Sequence, residues 1–170
     1  MKKQVIAITA IAAVLLLVIG VGIFLSVCKG EIYVNDGLHQ NSRVYMKDIC
    51  YEEGTLYYTV VNDTFRKVSS NDVPYMERKE NGVWKLHHLW QADSDRGEPD
   101  FGAFSQKQMN FKIAEGLTAA DIMGEYRLIF GNVSIDGINQ QTGEGEPYYS
   151  FSDDATYIVG YFTITEDMLD

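Results

Sequence analysis

Hydrophobic and polar positions along this 170-residue chain follow two regimes. Residues 5–27 carry no charge, and only Thr9 and Ser26 have polar side-chain atoms. At a helical rise of about 1.5 Å per residue this run reaches roughly 34 Å, enough for a hydrocarbon core of about 30 Å. The pattern predicts a transmembrane helix over 5–27, behind a cytoplasmic n-region at 1–4. A juxtamembrane linker, 28–42, is expected next. Beyond it, apolar positions come in short runs separated by turn residues, which predicts strands in one domain over 43–166, with a tail at 167–170.

The runs have individual signatures. Residues 44–51 read as a strand closed by Glu52, Glu53 and Gly54. Residues 55–61 follow, with Leu56, Tyr58 and Val60 on one face and Tyr57, Thr59 and Val61 on the other, as a central strand requires. Asn62, Asp63 and Thr64 then turn the chain. A hairpin is expected from 73–79 to 83–90 across Asn81 and Gly82, both of which tolerate positive φ. Pro74 belongs at a strand start or an edge, because it donates no ladder hydrogen bond. Residues 108–113 alternate Met109, Phe111 and Ile113 against polar neighbours. A helical turn or two fits 117–123, and strands fit 125–131 and 156–165. Segments 91–103 and 132–152 are long connections. About seven strands with almost no helical period make the expected class all-β, an antiparallel β-sandwich behind one N-terminal helix.

Charge sharpens this picture. Lys2 and Lys3 precede the apolar run, so the positive-inside bias places the domain outside the cytoplasm. Three of the 14 basic residues lie within 1–30, leaving 11 against 24 acidic side chains beyond it. That balance repels phosphate backbones and anionic headgroups, so no nucleic acid is expected as a partner. The lipid bilayer is a partner through the N-terminal helix. Only Cys28 and Cys50 occur, so no disulfide framework holds the fold, and Cys50 reads as a small buried apolar residue. Val27 before Cys28 departs from the small residue a lipoprotein signal needs, so lipidation at Cys28 and full secretion stand as alternatives to an uncleaved anchor.

Several segments together carry a family resemblance. They are Val61-Asn62-Asp63-Thr64, Tyr75 with Lys79, Glu80-Asn81-Gly82-Val83-Trp84, Met123-Gly124-Glu125-Tyr126-Arg127-Leu128, and the closing run from Tyr157 to Ile164. The set resembles small bacterial immunoglobulin-like domains on exported and membrane-anchored proteins of Gram-positive, clostridia-like bacteria. The resemblance covers 43–165 and implies an immunoglobulin-like sandwich that binds or spaces, with no catalytic residues. Tyr126, two residues after Gly124, fits a tyrosine corner, whose hydroxyl bonds back to the chain at a sheet crossing. Trp84 is expected to pack in the core, and Gly82 and Gly124 to serve turns. Longer loops and the absence of an inter-sheet cysteine pair set this chain apart.

Candidate chemistry is sparse. Asp93, Asp95, Glu98 and Asp100 surround Gly97 and could offer oxygen ligands to Ca²⁺, although the spacing is not that of an EF-hand and Arg96 competes. The ordinary alternative is a solvated acidic loop, with no cofactor. Tyr148, Tyr149 and Phe151, interleaved with acids, suit a binding surface for an envelope protein or glycan, or simply continue a strand. His87 and His88 are adjacent, so on a strand they point to opposite faces and cannot share a metal. No nucleophile, zinc or nucleotide motif occurs. The expectation is a non-enzymatic binding or scaffolding module of the cell envelope. A proteinase inhibitor using an exposed loop and a calcium-dependent carbohydrate-binding module are the alternatives.

Overall fold

The computed structural model describes residues 2–70, 74–87, 99–113, 116–135 and 156–169, without the side chains of 2–10, 132, 134 and 135. The chain opens with helix α1 (Lys2–Val27). Strands follow as β1 (Ile32–Asn35), β2 (Leu38–Asn41), β3 (Val44–Glu52), β4 (Thr55–Asn62), β5 (Val68–Ser70), β6 (Tyr75–Glu80), β7 (Val83–Leu86), β8 (Asp100–Phe101) and β9 (Ser105–Lys112). A single helical turn α2 (Ala119–Ile122) precedes β10 (Gly124–Ile135) and β11 (Thr156–Ile164). The domain is all-β.

Three tight turns set the register of the hairpins. Asp36-Gly37, Glu53-Gly54 and Asn81-Gly82 all have both central residues at positive φ, from 47° to 82°. They close β1–β2, β3–β4 and β6–β7 as two-residue loops whose twist matches that of the strands. One sheet orders β3-β4-β9; the other runs β1-β2-β11-β10-β5-β8, with β6 on β10 and β7 on β6. The ladders are antiparallel except β2 with β11, where Thr156 and Tyr157 pair His39 and Gln40 in parallel. The expected antiparallel arrangement is therefore mixed at that ladder.

Both sheets contribute to one core. Leu56, Tyr58, Val60 and Phe111 from the three-stranded sheet meet Met76, Tyr126, Leu128, Phe130 and Ile158 from the other. A smaller cluster of Leu38, Tyr75, Ile129, Tyr157 and Val159 lies on the second face of the larger sheet. Leu38 is 3% exposed, so the hairpin β1–β2 belongs to the folded domain. Residues 28–42 are therefore not a free linker.

Two further expectations change for the same kind of reason. Cys50 is exposed, not buried. Asp48 takes φ 51° and the β3–β4 register shifts between Lys47 and Cys50, so the bulge reverses the alternation begun by Val44 and Met46. After it, Ile49 and Tyr51 turn to the core instead. Trp84 is half-buried on the outer surface. Its cross-strand partner is Lys79, and β6 alternates Met76 inward with Glu77 outward, which puts Trp84 on the outer face.

Among the described residues no helix is long and apolar enough to cross a membrane. Side chains of α1 are described only from Ile11, and 11–27 amounts to roughly 25 Å of helix.

Candidate functional site

The outer face of the larger sheet gathers charged and aromatic side chains that sequence reasoning did not bring together. Arg127 on β10 pairs with Glu77 on β6, directly across the ladder. Arg127 Nε and Nη2 both reach Glu77 Oε2, and the two side chains are 7% and 10% exposed. Arg127 Nη1 donates to Asp36 O at 3.2 Å, so the tip of β1–β2 closes over the pair. A buried ion pair recovers its desolvation cost only when its remaining donors are satisfied, and this third bond serves that end.

Trp84 lies over this pair. The guanidinium carbon of Arg127 stands 4.9 Å from its ring centroid and Lys79 Nζ stands 5.4 Å away. Its indole N–H donates to Asp36 Oδ2 at 3.3 Å, and Tyr161 lies 5.9 Å from it, ring to ring. Lys79 Nζ also reaches Glu125 Oε2 at 3.2 Å. Burial pushes the Tyr161 hydroxyl above its ordinary value, and the Asp36 carboxylate beside it adds to the effect. Tyr161 is 40% exposed, with its hydroxyl engaged by Asp36 and Arg127, so an aromatic surface stands on a charge-locked base. Such rings offer apolar area and a face for stacking. The signal available in sequence was a lone arginine inside the apolar run Tyr126–Phe130; its partner Glu77 was not identifiable without the ladder.

The residues singled out in sequence are scattered. Asp93, Asp95 and Glu98 lie outside the described residues. Asp100 sits on β8, its Oδ2 held by Lys67 Nζ at 2.6 Å. Among the described residues no group of three His, Cys, Asp or Glu could hold a metal. Tyr148, Tyr149, Phe151 and His88 also lie outside the described residues. His87 follows β7 and contacts Tyr126 ring to ring at 5.9 Å. Cys28 is 5% exposed at the end of α1, where its N–H bonds Phe24 O at 2.9 Å.

Tyr126 is fully buried, and its hydroxyl donates to Ile122 O at 2.5 Å, four residues upstream. Burial raises its pKa. The helical turn supplying that carbonyl is fixed by Thr118, whose N–H and hydroxyl both donate to Asp121 Oδ2, at 2.9 and 2.6 Å. Those bonds hold the Asp121 carboxyl below its usual value. Gly82 closes the β6–β7 hairpin. At Gly124 a Cβ would lie 2.8 Å from Arg78 Nε.

Comparison with protein-family models, with curated proteins and with solved structures finds no match to this chain.

Proposed function

We propose that this chain is a single-pass membrane protein that displays one immunoglobulin-like sandwich outside the cytoplasm as a non-catalytic binding or scaffolding module. The observation that carries the reading is the surface of α1. Leu15, Leu16, Leu17, Val18 and Ile19 are consecutive, and each is more than half exposed. Five successive helical positions go fully around the axis, so the apolar surface has no dry side facing the domain. Each such side chain left in water forgoes about 1.5–3 kcal/mol, which a bilayer would recover. Lys2 and Lys3 then hold the N-terminus in the cytoplasm.

Strand order supports the immunoglobulin-like part. The order β3-β4-β9 corresponds to A-B-E of that fold, and β7-β6-β10-β11 to C′-C-F-G. Tyr126 opens the strand that would be F, after the turn α2, with its hydroxyl bonded back to Ile122 O. The outer face carrying half-buried Trp84 and exposed Tyr161 lies on the C′-C-F-G sheet and is the contact surface we assign to the module.

Crosslinking in native envelopes tests the binding role. The full chain should yield a defined adduct, and Trp84→Ser with Tyr161→Ser should weaken it severalfold while the chain stays folded. An envelope that gives no adduct at any ionic strength contradicts the role.

A further inference from the structure

Phe104 is costly where it stands. It is a non-glycine residue at φ 49° and is 55% exposed, in the turn joining β8 to β9. Bulky side chains seldom occupy the left-handed region, and a lone exposed ring gains nothing from water. The turn is nonetheless firmly held. Phe104 N–H donates to Thr64 O at 3.0 Å, and Ser105 Oγ donates to Gly102 O at 2.6 Å. Behind it sits Asn62, fully buried, its Nδ2 within 2.8–3.1 Å of the carbonyl oxygens of Arg66, Phe101 and Gly102. Asn62 Oδ1 accepts from Thr64 N and Oγ1.

The Phe104 ring lies 6.5 Å from that of Phe24 on α1. Phe24 is three residues short of the end of the apolar run, about 4.5 Å of helix rise inside it. The connection from helix to domain leaves little slack. Lys29 O accepts from Asn41 Nδ2 at 3.3 Å, and Glu31 and Ser42 exchange bonds at 2.8 and 2.9 Å. A Cβ on Gly30 would collide with the Asn41 amide. These bonds keep the end of the helix against β2, and the ring contact with Phe24 puts Phe104 beside its last turn.

We propose that the turn carrying Phe104 is a membrane-contact foot, seated in the headgroup–acyl boundary of the phospholipid bilayer that α1 enters. This rests on the anchor reading above. Phenylalanine inserts its ring on the acyl side of that boundary, and a ring beside Phe24 is placed at its depth. Exposed Lys29 at the end of α1 and exposed Lys107, whose Nζ is 5.9 Å from the Phe101 ring, suit headgroup phosphates. The acidic balance of the remaining domain opposes broad contact with such a surface, so a small aromatic foot sets the stance.

The test uses the full native chain in vesicles of mixed phosphatidylcholine and phosphatidylglycerol, with a doxyl group near the head of the acyl chain. Flotation reports insertion of α1, and amide signals report proximity to the label. Gly54 is the reference. It lies in the turn before β4, roughly 26 Å along the strand from the Asn62–Ser105 pair. The expected result is severalfold stronger attenuation at Ala103, Phe104 and Ser105 than at Gly54, reduced in Phe104→Asn, since asparagine accepts this backbone conformation. Equal attenuation in a chain that floats overturns the foot and leaves the anchor standing. A chain that does not float overturns both.

Discussion

Gly160 governs how closely β11 and β3 approach. A Cβ there would collide with the Ile49 side chain and lie 2.9 Å from Met46 Cβ and Sδ. Gly160→Val should therefore destabilise the domain by about 1–3 kcal/mol, read as a lower urea midpoint at unchanged slope. The buried tyrosines give a pH signature. Desolvation raises the pKa of Tyr126 and Tyr157 in the fold, so the folded state keeps protons that the unfolded chain releases above about pH 10. Their contribution is complete below that pH and is lost as pH rises through the folded values. Urea midpoints should thus fall on the alkaline side. Tyr126→Phe should flatten that fall while costing about 0.5–1.5 kcal/mol at neutral pH through the lost bond to Ile122 O. Asn62 illustrates what single residues conceal. Its turn-forming character was legible beside Asp63 and Thr64, but its bonds to Phe101 and Gly102, some 40 residues on, required the fold.

At the scale of elements, alternation located the strands better than it oriented them. Residues 55–61 lie within β4, the expected strand 108–113 overlaps β9 up to Lys112, and Asn81-Gly82 closes its hairpin. Alternation cannot say which face is inward, and Trp84, which the resemblance implies is in the core, lies on the outer face. Alternation also cannot see a bulge, and Cys50, expected to be buried, is exposed after one. The hairpin β1–β2 carries the same kind of signal, Asp36-Gly37 between Val34 and Leu38, in the stretch 28–42 expected to be a linker. The structure makes a sharp forecast there. A chain starting at Arg43 loses Leu38 from its cluster and the Asp36 carbonyl that caps Arg127. Compared with a chain starting at Lys29, it should melt at least several degrees lower, through lost apolar burial and an opened ion pair. Equal melting temperatures would return β1–β2 to the status of a tether.

At the scale of the whole molecule, an apolar helix precedes an acidic β domain and is tied to it by the bonds of Lys29 and Glu31 to Asn41 and Ser42. The site on the outer sheet face could not be read from sequence, because Glu77, Arg127, Asp36 and Trp84 meet only through three separate hairpins and ladders. The proposed placement has α1 spanning a membrane and the domain outside it. Cys50 allows a direct measurement. It is a free, exposed thiol, whereas Cys28 is buried. Slight burial and the Glu52 and Asp48 carboxylates raise its pKa, so labelling should be run at mildly alkaline pH, where more thiolate is present. Spheroplasts expressing the full chain are treated with a membrane-impermeant maleimide, with Cys50→Ser as control. The account predicts that intact spheroplasts label as fully as lysed ones and that the labelled chain stays with the membrane through alkaline washing. Labelling that appears only after lysis, or a labelled chain that washes free, would contradict it.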